Sequence, residues 1–168
     1  MKKILIIVLF LACLLGLVGC DPGRHRLDAN ELLSNTVRIE LVHYENTNPK
    51  VLRIGRRKTP IFDFCNATPI ATLADSHIEE VVKDIAARDL YLIGRTLNQP
   101  IGKTLILYQR DGNMIVLFGC AYENKKGDTK YYGMCNIFDE NGQFVEYLGD
   151  ISHDYVDTLE AKYFEGDK

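Results

Sequence analysis

Three dipeptides in the second half of the chain, Asp111-Gly112, Gly127-Asp128 and Asn141-Gly142, constrain the fold more than any other feature. Each joins glycine to an acid or amide, the combination favoured by primed two-residue turns, whose twist matches that of paired strands. Taken as loops, they predict a four-stranded meander, roughly 103–110, 113–122, 131–138 and 143–148. They also set registers: Arg110 faces Asn113, Lys126 faces Thr129, and Glu140 faces Gln143. The run MIVLFGCAY is apolar on both faces, so its strand is expected to be central and covered on both sides. The same registers put Ile106, Ile115, Leu117, Phe138, Val145 and Tyr147 on one face. They put Leu105, Leu107, Val116, Phe118 and Ile137 on the other.

Upstream, Thr36 to Glu45 alternates in the manner of a half-buried strand, with Val37, Ile39, Leu41 and His43 on one side. Asn46-Thr47-Asn48-Pro49 is a turn signal, and Lys50 to Gly55 supplies a return strand. Ser76-His77-Ile78-Glu79 has capping-box spacing. After it, Ile78, Val81, Val82, Ile85 and Ala86 share one helical face. Ser152 is expected to cap a last helix whose apolar stripe is Tyr155, Val156, Leu159 and Tyr163. The fold class is α+β: an antiparallel sheet of about six strands, with the C-terminal meander and two packed helices.

The first twenty residues, MKKILIIVLFLACLLGLVGC, place two lysines before an apolar run that ends in Leu17-Val18-Gly19-Cys20. This is a positive n-region, an apolar h-region and a small-residue cleavage site closing on cysteine. The run is too short to span a bilayer comfortably, and Asp21-Pro22-Gly23-Arg24 stops a helix. The segment resembles the lipobox of bacterial lipoproteins, with Leu17, Val18, Gly19 and Cys20 matching the family pattern at each position. The resemblance covers only the leader. It implies export, acylation of the Cys20 thiol and cleavage before it, so residues 1–19 are expected to be a removed signal peptide. Residues 20–30 then form a flexible polar tether, and 31–168 a single domain. Such a tether reaches about 35 Å at roughly 3.3 Å per residue. Arg24, His25 and Arg26 fall within it, where a solvated linker accounts for them and headgroup contact is the alternative. The expected location is the extracytoplasmic face of the cell membrane.

Loss of Lys2 and Lys3 with the leader takes the net charge from −3 to −5. An acidic domain of this size builds one core of ordinary extent. Its charge argues against nucleic acid, whose phosphates need a basic field, and against broad adhesion to anionic lipid.

The chemistry of the domain is sparse. With Gly127-Asp128 as the loop, Cys120 lies opposite Cys135, close enough for a cross-strand disulfide in an oxidising compartment. The pair falls at a hydrogen-bonded site, the less comfortable geometry, and two buried free thiols are the alternative. Cys65 is left over as a buried thiol, another pairing partner or a reactive group. No nucleophile motif surrounds it. Gly102-Lys103-Thr104 lacks the earlier glycine of a phosphate loop, and no Cys-x-x-Cys or His-x-x-x-His pair supports a metal. No catalytic residue, metal or cofactor is therefore assigned. Arg53, Arg56, Arg57 and Lys58 form a basic cluster, either a contact for an anionic ligand or a solvated loop. Tyr122, Tyr131 and Tyr132 flank one hairpin tip, either as a protein-binding patch or simply as strand residues. The expected function is a non-enzymatic binding or interaction module of the envelope, held at the membrane through Cys20, with an envelope protein or the cell wall as partner. A small thiol- or acid-dependent hydrolase and a tethered inhibitor or exclusion factor are the alternatives.

Overall fold

The computed structural model describes residues 23–44, 50–54, 57–62, 64, 67–93, 100–124 and 126–164. Eight strands form one antiparallel sheet. They are β1 (Arg24–His25), β2 (Thr36–His43), β5 (Pro69–Thr72), β6 (Leu90–Tyr91), β7 (Ile101–Gln109), β8 (Met114–Glu123), β9 (Thr129–Phe138) and β10 (Phe144–Ile151), in the order β1-β6-β10-β9-β8-β7-β2-β5. A separate two-stranded ribbon pairs β3 (Lys50–Ile54) with β4 (Arg57–Ile61). The described helices are α1 (Ala29–Asn35), α2 (Ile78–Ala86) and α3 (Tyr155–Tyr163).

The α+β class and the C-terminal meander are as the sequence predicts, and β8 lies between β7 and β9. The sheet is wider than expected because short edge strands join it. Lys50–Ile54 is not the return partner of β2, which pairs instead with β5 and β7. The expected tether also changes. Arg24 and His25 pair with Tyr91 and Leu90. Asp28 then caps α1, its Oδ1 accepting from the amides of Asn30 and Glu31 at 2.8 and 2.9 Å. From Gly23 onward the segment is folded.

The three turns sit where the glycines put them, but each loop has three residues rather than two. Gln109 pairs with Asn113, Asn124 with Asp128, and Asp139 with Gln143, each through an amide-to-carbonyl bond of 2.9 Å. The third loop residue is in every case a glycine at positive φ: Gly112, Gly127 and Gly142. This is a type I turn completed by a left-handed residue, the usual three-residue hairpin. Side chains reinforce it, since Asn124 Oδ1 and Asp139 Oδ1 each accept two loop amides. The registers therefore slip by one residue in the first hairpin and by three in the second, relative to expectation. In the third the slip of one is confined to the loop end, because a bulge between Phe144 and Glu146 restores the expected pairing at Glu146–Ile137 and Tyr147–Asn136. An odd slip moves a strand's side chains to the opposite face of its partner's.

The observed faces are correspondingly re-sorted. One carries Ile39, Leu41, Leu105, Leu107, Ile115, Leu117 and Cys135 beneath the helices, packed on Leu32, Val81, Val82, Ile85, Tyr155, Val156 and Leu159. The other carries Ile106, Val116, Phe118, Cys120, Met134 and Phe138 beneath Tyr44, Phe62 and Phe64. Phe64 meets Phe138 at 4.9 Å and Tyr44 at 4.8 Å between ring centroids. The apolar stripes of α2 and α3 are buried as the periodicity predicts. Their expected caps are not formed. A short 3₁₀ turn, Asp75–His77, leads into α2, and Ser152 donates its hydroxyl to Asp154 instead of accepting a helix amide.

Candidate functional site

The expected bridge between Cys120 and Cys135 is corrected by the hairpin register. Cys135 lies opposite Leu117 and Cys120 opposite Tyr132. An offset of three along the strands puts the sulfurs on opposite faces of the sheet, one in each core, and both are free thiols. Burial pushes the Cys135 thiol up to about 12. Burial and the nearby Asp150 carboxylate do the same to Cys120, against a hydrogen bond with Tyr132. A thiol held protonated in this way is a poor nucleophile.

The basic cluster lies on the β3–β4 ribbon, where Arg53 pairs with Lys58 and Ile54 with Arg57 in the backbone register. Arg56, Cys20 and Cys65 lie outside the described residues. The tyrosines do not form one patch: Tyr132 is buried, whereas Tyr131 is exposed and stacks on His153 at 5.9 Å. Among the described residues, no three His, Cys, Asp or Glu side chains are grouped to hold a metal. No described helix is long and apolar enough to cross a membrane.

Two concave surfaces among the described residues depend on the N-terminal segment that the sequence reading took for linker. The first is a groove of about 260 Å³ between α1 and the open end of the helix-side face. Leu27, Leu32, Ile115, Ile137 and Leu148 form its floor, and Asp28, Glu31 and Asp111 stand around it. Local structure fixes two of these acids. Asp28 is the α1 cap, and Asp111 accepts from the backbone and side-chain nitrogens of Asn113 at 2.9 and 2.7 Å. The volume lies below the range usual for small-molecule sites and suits an anchoring side chain instead. The signal for this groove was the Asp28-Ala29-Asn30-Glu31 run, an N-cap followed by an acid three residues on.

The second is a cavity of about 400 Å³ at the β1–β6 edge, lined by Arg26, Arg88, Asp89, Tyr91, Ser152 and Tyr155 among others. Arg26 holds Asp89 through Nε at 2.7 Å, and Arg24 reaches the same carboxylate at 3.4 Å. Both arginines keep Asp89 below the usual carboxylate range, with the Arg26 hydrogen bond as the larger cause. Arg88 lies over the Tyr155 ring at 4.9 Å and within 3.8 Å of Asp84. Asp84 also accepts from Lys162 at 2.8 Å and Tyr163 at 3.2 Å, tying α2 to α3. Neither surface presents a nucleophile beside a base.

Compared with known proteins, the chain matches no family model, no curated protein and no solved structure.

Proposed function

We propose that this chain is a lipid-anchored extracytoplasmic protein whose domain is a non-enzymatic interaction module of the cell envelope. The Leu17-Val18-Gly19-Cys20 lipobox carries the reading, because it supplies at once a route of export and an attachment point. Two or three acyl chains, at about 0.8 kcal/mol per buried methylene, hold an otherwise water-soluble fold at a bilayer. The acidic groove under α1 supports a protein partner. Its apolar floor and carboxylate rim complement an apolar side chain flanked by lysine or arginine. The thiol-dependent alternative is weakened at Cys120 and Cys135, whose burial keeps them protonated.

Intact-mass measurement of the protein extracted from its own membranes tests the anchor. Loss of residues 1–19 with added acyl mass on Cys20 is expected; an unmodified methionine start refutes it. Photo-crosslinking from Glu31 in living cells tests the groove. A discrete adduct that Leu32→Asp abolishes is expected, and an adduct pattern that this change leaves intact removes the groove from the proposal.

A further inference from the structure

We propose that the β1–β6 edge of the sheet is a membrane-docking surface, so that the domain lies against the phospholipid bilayer in one orientation. Tyr91, Leu92 and Ile93 enter the interface, while Arg24, Arg26 and Arg88 meet lipid phosphates. The inference rests on acylation of Cys20 and says where the domain goes once it is anchored.

The first observation is distance. Leu92 donates its amide to the Gly23 carbonyl at 2.9 Å, and Leu92 is also what a side chain at Gly23 would meet first. Only Asp21 and Pro22 separate Gly23 from Cys20, so the start of this edge lies within about 11 Å of the Cys20 Cα along even a fully extended chain. A domain held that closely cannot keep this edge far from the headgroups.

The second is exposure. Tyr91, Leu92 and Ile93 are 39%, 47% and 50% exposed, and they are consecutive, unlike the other large exposed apolar side chains among the described residues. A regular strand would turn every second residue inward. Here the Ile93 amide donates to the Tyr91 carbonyl at 2.9 Å, a three-residue turn centred on Leu92 that ends the alternation. Apolar side chains in sequence beside an aromatic ring with a polar tip suit the boundary between acyl chains and headgroups.

The third is charge. The domain is acidic, yet Arg24, Arg26, Arg88 and Lys162 gather here around Asp84 and Asp89, with the buried Asp150 opposite Tyr91 and Asp154 beside Ser152. The side chains of Arg24, Arg26 and Arg88 are each more than half exposed. Arg26 meets its acid through Nε, which leaves its paired terminal nitrogens to donate elsewhere, while Arg88 approaches Asp84 and lies over Tyr155. The 400 Å³ cavity between these two arginines is at the scale of a phosphodiester, and the guanidinium of Arg26 supplies its donors, since the Ser152 and Tyr155 hydroxyls on its wall already donate to Asp154 and Asp84.

The chain contains no tryptophan, so a single introduced indole reports its own surroundings. The full-length protein carrying Leu92→Trp is expressed with its leader, purified in acylated form and reconstituted into vesicles of phosphatidylethanolamine and phosphatidylglycerol. Ile70→Trp is the control: Ile70 is exposed on β5, at the opposite edge of the sheet and on the order of 30 Å away. With Leu92→Trp, emission should shift to the blue on reconstitution, and lipids brominated on the acyl chain should quench it several-fold more than in the control. Ile93→Asp, added to Leu92→Trp, should abolish that difference while leaving the acyl mass on Cys20 unchanged. Equal, water-like emission from both indoles with Cys20 acylated overturns docking and leaves the anchor standing. Absence of acyl mass in the same preparation overturns the anchor and, with it, the docking proposal.

Discussion

Gly142→Ala should damage this fold far more than Gly112→Ala, although both glycines close equivalent three-residue loops at positive φ. An alanine at either position carries the left-handed penalty of about 1–2 kcal/mol. Beyond that, their surroundings differ. A Cβ on Gly112 finds Glu140 Oε2 at 3.5 Å, an ordinary contact. A Cβ on Gly142 falls 1.7 Å from the carbonyl oxygen of Phe62, so loop and segment must separate. Separation breaks the 3.0 Å bond from the Phe62 amide to the Gly142 carbonyl, worth about 1 kcal/mol net. It also loosens Phe62, which is fully buried and packs on Phe138 at 5.6 Å; exposing such a ring completely costs about 1.5–3 kcal/mol. The excess for Gly142→Ala over Gly112→Ala is therefore about 2–4 kcal/mol. Urea unfolding followed by far-UV circular dichroism gives both values, and near-UV spectra report the Tyr44–Phe62–Phe64 cluster directly. Two variants equal within about 0.5 kcal/mol would show that the 62–64 segment does not depend on this loop for its seat.

Other outcomes follow from the same geometry. Cys120 and Cys135 should resist alkylation in the native protein without reductant and react after denaturation; a mass deficit of two hydrogens linking their peptides would contradict the opposed faces. Both thiols ionise near 9 in the unfolded chain and near 12 in the fold, so their contribution is full below about pH 9 and is lost as pH rises towards 12. The urea midpoint should fall over that range less steeply in Cys135→Ala than in the parent, and equal slopes would refute the assignment. At Asp84, burial favours the neutral acid, but hydrogen bonds from Lys162 and Tyr163 and the Lys162 and Arg88 charges outweigh it and hold the carboxyl below its ordinary range. Asp84→Asn should cost about 1 kcal/mol at neutral pH, allowing for solvent screening. That difference should vanish as pH falls below about 4, and a difference that persists in acid would mean Asp84 acts through packing alone. Asn136 is fully buried with neither side-chain polar atom bonded, so the similarly shaped Asn136→Leu should raise stability by about 1–2 kcal/mol, and a lowered thermal midpoint would count against it.

Much of the architecture is legible in the chain because it rests on local rules. The α2 stripe Val81-Val82-Ile85-Ala86, the doubly apolar β8 and the glycines that close the hairpins all express backbone periodicity or dihedral preference. The two concave surfaces were not legible. α1 has only seven residues and β1 only two, too few for a periodic signal, and each exists because it finds a partner distant in sequence. Leu92 gives no warning of exposure, since it reads like any strand residue until the turn with Ile93 and the pairing to Gly23 are seen.

The amino-acid sequence alone determined that the four C-terminal segments pair as successive hairpins and which helix faces are apolar. Tertiary structure decided register and face. A glycine marks a turn equally well with two loop residues or three, and only cross-strand packing selects between them. In the second hairpin the three-residue loop also starts two residues earlier, and the resulting slip of three sends Cys120 and Cys135 into separate cores instead of into a bond. It is also long-range pairing, which no local pattern encodes, that turns a polar run after Cys20 into the edge of a sheet.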